Sequence, residues 1–166
     1  SHNMIKNTKI SIFKSLFKSS DVPYDVQLDQ SLKRIKEGKS KHIIDKMMTL
    51  EGDARSKLKN QLPCIIFGGV FTQRKKSGLK EHSGLMVLDF DKIPSNKMTT
   101  IFDQLKQNKH IVSVFMSPSR NGYKAIVSIP KCTAKEHEQY FKQFNKDHLY
   151  DYFDGATCNV DRVCFE

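Results

Sequence analysis

The stretch that decides the fold is GLMVLDFD at residues 84–91, an apolar run that ends in two carboxylates. Its length, its branched and aromatic residues and its flanking turn formers are typical of a buried β-strand. Two further apolar runs follow at residues 111–116 and 123–129, and amphipathic spacing predicts a helix over residues 95–107. The sequence therefore predicts a sheet built around residues 84–91, with helices packed mainly on one of its faces.

Further strands and helices extend this pattern in both directions. Ser95 and Thr133 are expected to cap the helices that follow them. Residues 72–82 read as a polar, basic loop. Interleaved strands and helices indicate an α+β (α/β) fold in one domain of residues 5–166. The remaining predicted strands cover residues 8–17, 64–71 and 160–165, and the remaining predicted helices cover residues 26–36, 40–50 (with a possible continuation to 62) and 133–150.

Composition narrows the class of protein and of partner. The chain has 166 residues, of which 38% are hydrophobic and 28% charged, and this balance predicts a soluble globular protein. No apolar stretch reaches membrane-spanning length and no secretory signal follows residues 1–4, which resemble an expression scar. We therefore expect a cytoplasmic protein without a membrane partner. The formal net charge of +10 favours polyanions as partners.

The chain has four cysteines, and their spacing excludes the common zinc motifs. No two of them are separated by the two to four residues that a zinc knuckle or ribbon requires. We expect four reduced thiols, with neither zinc nor disulfides, and two of them as core residues in apolar runs. The four are Cys64, Cys132, Cys158 and Cys164, of which Cys64 and Cys164 are the predicted core residues.

Asp89 and Asp91 are the most informative pair in the chain. Residues i and i+2 of a strand point to the same side, so both carboxylates emerge on one face while Leu88 and Phe90 face the core. Two adjacent carboxylates repel each other unless a cation or a proton lies between them, and Mg²⁺ or Mn²⁺ would satisfy both. The alternative is a pair of solvated acids in the connection that follows the strand.

Residues 117–124, SPSRNGYK, form a second polar motif between two predicted strands. The Asn121-Gly122 pair predicts a tight turn with positive φ. Hydroxyl and cationic groups around such a turn can bind phosphate oxygens, although a plain hairpin turn with incidental cations is the alternative. The candidate phosphate-binding residues are Ser117, Ser119, Arg120 and Lys124.

A third acidic element lies near the carboxyl end. Asp154 and Asp161 each follow an apolar residue, and Arg162 comes next to the second of them. Either acid can supply a third carboxylate to a two-cation site, and both can equally be solvated acids that follow the helix of residues 133–150. The pattern leaves this choice open.

In this order the three motifs resemble the archaeo-eukaryotic primase superfamily, the primase-polymerases, and are most similar to the VirE N-terminal domain group of primase-like proteins. The resemblance extends over roughly residues 60–166. One departure is that many members place a histidine in the second motif, where this chain has Lys124. The segments that carry the resemblance are HSGLMVLDFDKI (82–93), SPSRNGYKAIVSI (117–129) and DGATCNVDRVCF (154–165).

The resemblance implies an RRM-like catalytic sheet with two metals, Mg²⁺ or Mn²⁺, on its exposed face. It assigns catalytic and metal-binding roles to Asp89, Asp91 and Asp154, with Asp161 as the rival third ligand. It also implies binding of the incoming triphosphate by the second motif. The implied nucleotide-binding residues are Ser117, Ser119, Arg120, Lys124 and Arg162.

The implied activity is nucleotidyl transfer on a DNA template and primer with nucleoside triphosphates as substrates. The resemblance also implies a longer parent protein, with a helicase-like segment beyond Glu166. A basic cluster before the metal strand can follow template phosphates, and so can a second cluster within residues 33–41, although a solvated face explains each equally well. The first cluster consists of Arg74, Lys75, Lys76 and Lys80.

Two other functions compete with synthesis. A nucleic-acid-binding or nucleotide-binding module of a replication or mobile-element protein would keep the fold without catalysis, and the lysine in the second motif favours it. A metal-dependent phosphohydrolase or nuclease would also use a D-x-D strand end. The three functions predict different outcomes with a nucleic-acid substrate: synthesis predicts strand growth, the module predicts binding alone, and the phosphohydrolase or nuclease predicts substrate breakdown.

Overall fold

Strands and short helices alternate along the part of the chain that the computed structural model describes, namely residues 5, 7–16 and 22–166. This part contains nine strands and five α-helices. The amino-terminal elements are β1 (Lys9–Phe13), β2 (Tyr24–Gln27), α1 (Leu28–Lys36), α2 (Lys41–Met47), α3 (Gly52–Lys59), β3 (Cys64–Ile66), β4 (Gly69–Phe71) and β5 (Leu79–His82). The others are β6 (Leu85–Phe90), α4 (Met98–Lys106), β7 (Ile111–Met116), β8 (Tyr123–Ser128), α5 (Ala134–His148) and β9 (Cys164–Phe165).

The strands form three antiparallel sheets, in the orders β2-β1-β3-β9, β4-β5 and β6-β8-β7. Strand β6 is therefore an edge of its sheet and pairs with β8 over its whole length, from Leu85 opposite Ser128 to Phe90 opposite Tyr123. Mixed helices and antiparallel sheets confirm the predicted α+β class.

The two faces of strand β6 enter two different cores because its side chains alternate. Leu88 and Phe90 pack with residues of α4 and α5, such as Leu105 and Phe141. Val87 faces the opposite way, into a cluster that strands β1 and β3 share. Helices therefore cover one face, as predicted, and the four-stranded sheet covers the other. The family resemblance implied that the sheet face opposite the helices is exposed. That expectation was wrong, because strands β1 and β3 pack against this face of β6 and β8.

The apolar run at residues 64–71 was predicted to be one strand, and that prediction was wrong. It divides into β3 and β4, which belong to different sheets. A Cβ on Gly68 would lie 2.2 Å from the backbone oxygen of Val160, and one on Gly69 would lie 2.2 Å from that of Glu81. The two glycines allow the backbone to pass between neighbours that no larger residue would clear. The predicted loop at 72–82 likewise contains β5, the partner of β4.

Several predicted helix boundaries also needed correction. Val26 belongs to β2, and α1 begins only at Leu28. The possible continuation to residue 62 is interrupted, because α2 and α3 are separate helices and Gly52 has a φ of +58°. Ser95 starts a 3-10 turn and does not cap α4, whereas Thr133 caps α5 as predicted. Within the described residues, no helix has the length and apolar character needed to cross a membrane.

Candidate functional site

The centre of the candidate site is the Asp89 side chain, which is 1% exposed. Asp89 lies directly opposite Lys124 in the β6–β8 pair, and the Lys124 Nζ donates to Asp89 Oδ1 at 2.7 Å. The Arg162 Nε donates to Asp89 Oδ2 at 3.3 Å. Both carboxylate oxygens therefore have a cationic partner. One acidic and two basic residues meet here, two of them placed by the register of adjacent strands.

The electrostatics of this pair keep Lys124 charged. Burial, the largest single influence, lowers the pKa of Lys124, but the neighbouring Cys164 and Asp89 together raise it above its ordinary value. Burial also raises the pKa of the Cys164 thiol to about 12, so that thiol is neutral at pH 7. Asp89 is therefore the main charge that stabilises the Lys124 ammonium under ordinary conditions.

Asp91 and Asp154 lie at the same edge of the sheet as Asp89. An isolated antiparallel bridge joins Phe90 to Phe153, and the Asp154 amide donates to the backbone oxygen of Asp89 at 2.9 Å. Directly opposed residues of an antiparallel pair have side chains on the same face, which assigns Asp154 to the face of Asp89. The Asp91 side chain is exposed, and Asp154 is half-buried with Oδ1 accepting from the Ala156 amide.

The alternative third acid, Asp161, lies in a different environment. Its carboxylate accepts from the Asn159 side chain at 2.9 Å. The basic side chains that its charge influences are Lys76, whose pKa is raised mainly by the hydrogen bond to Glu138, and His137, whose pKa burial lowers to about 4. Of the two acids that the sequence left open, Asp154 is thus the backbone neighbour of Asp89. Arg162 is the next residue after Asp161 in the chain, but its side chain pairs with Asp89.

Lys59 is a further cation near the site that the sequence motifs did not identify. Burial lowers its pKa most, the Lys124 charge lowers it further, and Asp91 and Asp89 act in the opposite direction. Its Nζ also lies 5.1 Å from the centre of the Phe165 ring. Lys59 ends α3, well before the D-x-D strand in the chain, and no motif spacing links the two. Only the tertiary fold brings them together.

The predicted turn at residues 117–122 packs against the end of β6. The positive φ, 63°, belongs to Arg120 and not to the Asn121-Gly122 pair, so that part of the prediction was wrong. Gly122 is required for a different reason, because a Cβ there would lie 2.2 Å from the backbone oxygen of Phe90. Ser117 is 8% exposed, and Ser119 is half-buried in the same turn.

Arg120 is separated from Lys124 and lines a cavity of about 240 Å³ between this turn and helices α1 and α2. Its guanidinium pairs with Asp45 of α2. On the other wall, Arg34 donates twice to the Glu166 carboxylate, at 2.7 and 2.8 Å. The implied nucleotide-binding set is therefore divided between the Asp89 centre and this cavity. The cationic residues that line the cavity are Arg34, Lys39, Lys41 and Arg120.

Two of the four residues in the predicted basic cluster at residues 74–80 already have partners within the protein, so only part of the cluster can contact a polyanion. Arg74 donates to the backbone oxygen of Leu16 at 3.4 Å and is half-buried. Lys76 is paired with Glu138 at 2.7 Å. Lys75 and Lys80 are exposed. The four residues thus do not form a continuous row of unpaired cations.

Taken together, these features define an α+β domain with a buried carboxylate held between two cations at the edge of a three-stranded sheet. Residues 57–160, more than half of the chain, match the family described as BT4734-like, N-terminal domain. The chain therefore belongs to the BT4734-like N-terminal domain family. The match includes Lys59, Asp89, Lys124 and Asp154 and ends before Asp161. No curated protein and no solved structure matches the chain significantly.

Proposed function

We propose that this domain is a nucleotidyltransferase of the primase-polymerase type, which joins nucleotides on a nucleic-acid template. In that reaction a strand's 3′-hydroxyl loses its proton and its oxygen attacks the α-phosphate of a nucleoside triphosphate. A new phosphodiester bond forms and pyrophosphate leaves. The observation that carries the proposal is the position of Asp89, Asp91 and Asp154 at one sheet edge, which backbone hydrogen bonds hold together, with Lys124 and Arg162 in contact with Asp89.

The cations of the cluster suit the binding of a triphosphate. Lys124 and Lys59 flank the acidic edge, and the Arg162 side chain is 42% exposed, so it can contact a ligand from solvent. Arginine binds phosphate with two parallel donors, whereas lysine acts as a point charge. We assign to these three residues the binding and orientation of the phosphates.

The acidic residues suit a hard divalent cation such as Mg²⁺ or Mn²⁺, because all three offer carboxylate oxygens. Asp91 is exposed, and Asp154 is half-buried on the adjacent segment. For Asp89 to join them, one of its cationic partners must release an oxygen. Arg162 has the longer contact and the more exposed side chain, so it is the residue expected to move. A bound divalent cation would supply Lewis-acid activation of the hydroxyl and charge neutralisation at the phosphates.

The cavity beside Arg120 supports a second contact region for the same polyanionic substrate. Its cations come from α1, the α1–α2 connection, α2 and the 117–122 turn, and they enclose a space of about 240 Å³. We assign the nucleic-acid strand or the distal part of the triphosphate to this cavity. All four cations have acidic partners: Arg34 pairs with the buried Glu166, Lys39 with Glu37, and both Lys41 and Arg120 with Asp45. The pairs of Lys39, Lys41 and Arg120 are solvent-exposed and contribute little, so a polyanion can displace these partners more readily than Glu166.

Primer extension with Mn²⁺ or Mg²⁺ and labelled nucleoside triphosphates tests the proposal. Asp91→Asn is the most informative variant because Asp91 is exposed and its loss leaves the Asp89 ion pairs intact. We expect incorporation to fall by about 100-fold or more, as for the loss of a metal-binding carboxylate. Asp151→Asn, an exposed acid three residues from Asp154, is the matched control and should retain activity.

Absence of incorporation by the unmodified chain with either cation would refute the synthesis proposal. Equal activity of the Asp91 variant and the Asp151 variant would refute the assigned site. Release of nucleotides from the primer without extension would instead indicate the phosphohydrolase or nuclease activity that also uses such a D-x-D motif.

A catalytically inactive nucleotide-binding or nucleic-acid-binding module is the second candidate. It is favoured by one observation, namely that Asp89 is 1% exposed and both of its oxygens already have cationic partners. For such a module, nucleotide or oligonucleotide binding would be independent of divalent cations and unchanged in Asp91→Asn. Binding assays with and without a chelator distinguish it from the enzyme.

A further inference from the structure

A second cluster of ligand-type side chains lies outside the carboxylate site. His82 is the last residue of β5, Cys132 lies in the connection between β8 and α5, and His137 lies in the amino-terminal part of α5. One ligand atom from each residue lies within 4.8 Å of the others. His82 and His137 are 7% and 3% exposed, while Cys132 is half-buried. Three separate elements thus bring two imidazoles and a thiol to one point.

The distances inside this cluster are close to those of a tetrahedral metal centre. The Nε2 of His82 lies 2.9 Å from the Nδ1 of His137 and 3.6 Å from the Sγ of Cys132. Bond lengths to zinc of about 2.0 Å for nitrogen and 2.3 Å for sulfur put two nitrogen ligands about 3.3 Å apart and a nitrogen–sulfur pair about 3.5 Å apart. The Cys132 thiol is already at the required separation from His82, and the two imidazoles need to move apart by only a few tenths of an ångström. The His137 ligand atom lies within 4.8 Å of the thiol.

We propose that His82, Cys132 and His137 form a binding site for a divalent metal ion of the zinc class. Two imidazoles and a thiolate are ligands that zinc and cobalt prefer, whereas Mg²⁺ and Mn²⁺ prefer oxygen. This site is therefore chemically distinct from the carboxylates around Asp89, and it does not depend on nucleotidyl transfer. A cavity of about 350 Å³ adjoins the site at His82.

The positions of the imidazole and thiol hydrogens define what must change when the ion binds. The Gly84 amide donates to His82 Nδ1 at 2.9 Å, so His82 carries its hydrogen on Nε2 and donates it to His137. A metal on Nε2 replaces that hydrogen, which moves to Nδ1 and breaks the contact with Gly84. Cys132 loses its thiol proton to solvent, so binding releases one proton per ion. The ion would join β5 to the start of α5.

A hydrogen-bonded histidine pair without metal is the competing explanation. It accounts for the 2.9 Å contact between His82 and His137, but it gives the nearby thiol of Cys132 no role. The decisive evidence is consequently a signal that only a metal–thiolate bond produces.

Cobalt titration of the chelator-treated protein provides that signal. We expect one equivalent of Co²⁺ to give the d–d bands of a tetrahedral site and a thiolate-to-cobalt charge-transfer band. Cys132→Ser should lose the charge-transfer band and bind Co²⁺ about 100-fold more weakly. Cys158→Ser, which changes another half-buried cysteine outside the cluster, is the matched control and should bind like the unmodified chain.

Alkylation of the unmodified chain tests the site without any variant. Zn²⁺ should slow the alkylation of Cys132 at least tenfold and leave that of Cys158 unchanged, while the buried Cys64 and Cys164 stay unreactive with or without zinc. An unmodified chain without the thiolate band, or zinc that fails to protect Cys132, would overturn the proposal. Loss of the band in Cys158→Ser with retention in Cys132→Ser would also overturn it.

Discussion

At the scale of single residues, the Asp89–Lys124 pair combines a structural role with the proposed chemical one. Their side chains are 1% and 13% exposed, so the charges are largely removed from water. Such a pair adds little net stability compared with apolar residues, but removing one partner is costly because the other charge stays buried. The pair therefore constrains which variants can test the site.

Asp89→Asn is expected to lower the free energy of unfolding by about 3 kcal/mol, because Lys124 loses its counter-charge. The pKa of Lys124 in the folded state is raised above its ordinary value of 10.5. The charged Lys124 therefore contributes its full share of the stability below pH 10.5, and that share is lost only as the pH rises through the folded-state pKa. The loss should thus be the same at pH 6 and pH 8. Urea unfolding measures it.

Two controls make the Asp89 prediction specific. Asp91→Asn, at an exposed neighbouring acid, should change the free energy of unfolding by less than about 0.5 kcal/mol. Adding Lys124→Met to Asp89→Asn should recover part of the loss, because the buried charge is then removed. A loss below about 1 kcal/mol for Asp89→Asn alone would show that water reaches the pair freely.

At the scale of elements, close backbone contacts hold the edge of β6 and the turn that follows β7. The Ile93 amide donates to the Asn121 backbone oxygen at 2.8 Å, and Gly122 lies against the backbone of Phe90. These contacts join the end of the D-x-D strand to the second polar motif. Their tolerance for an added methyl group is small.

Gly122→Ala should lower the free energy of unfolding by about 2 kcal/mol or more, because its Cβ would lie 2.2 Å from the Phe90 oxygen and the backbone must shift. Gly155→Ala is the control, since the nearest atom to its added Cβ is 3.9 Å away. Thermal unfolding of both variants measures the difference. Equal stability of the two would contradict the close contact.

Thr133→Ala should cost about 1 kcal/mol, because the Thr133 side chain accepts from the Glu136 amide and the Glu136 side chain accepts from the Thr133 amide. Ser95→Ala should be close to neutral, because Ser95 makes no side-chain cap to α4. Urea unfolding compares the two variants. A larger loss at Ser95 than at Thr133 would reverse the assignment of caps.

Sequence patterns predicted the elements whose causes are local. The strand at 84–91, the hairpin strands β7 and β8 and the Thr133 cap follow from periodicity and capping chemistry, and the structure confirms them. The division of residues 64–71 does not follow from local patterns, because Val160 and Glu81 impose it from distant parts of the chain.

The candidate site divides in the same way. The D-x-D spacing predicted that Asp89 and Asp91 lie on one face, and the strand pairing adds Lys124 directly opposite Asp89. Lys59 and the His82–Cys132–His137 cluster were missed because their members come from separate elements with no short spacing between them. Only their tertiary positions carry that information.

At the scale of the whole molecule, the chain has a net charge of +10, and within the residues that the structure describes a large part of its positive charge lies in ion pairs. Many cations already have partners: Lys76 with Glu138, Lys41 with Asp45, and Arg34 with Glu166. The cations close to the acidic edge are the ones that a polyanion would contact under the proposed function. Binding should consequently depend on a few residues and on salt.

Single-stranded oligonucleotide affinity should fall as salt concentration rises, because phosphate contacts release counterions. Lys59→Met should lower the slope of log affinity against log salt by about 0.7, the value for one lost phosphate contact on a single strand. Lys131→Met is the control, because its side chain is 65% exposed and pairs with Glu81 away from Asp89. Fluorescence anisotropy measures both. An unchanged slope for Lys59→Met would remove Lys59 from the interface.

The most direct test of the central claim is anomalous diffraction from crystals soaked with Mn²⁺ and a non-reactive nucleoside triphosphate analogue. We predict a manganese peak at coordination distance from the carboxylates of Asp91 and Asp154, with Arg162 withdrawn from Asp89 and phosphates beside Lys124 and Lys59. Nucleotide density without manganese at these carboxylates, or a site with Asp89 still held by Lys124 and Arg162 and no ligand nearby, would contradict the proposed nucleotidyl-transfer centre.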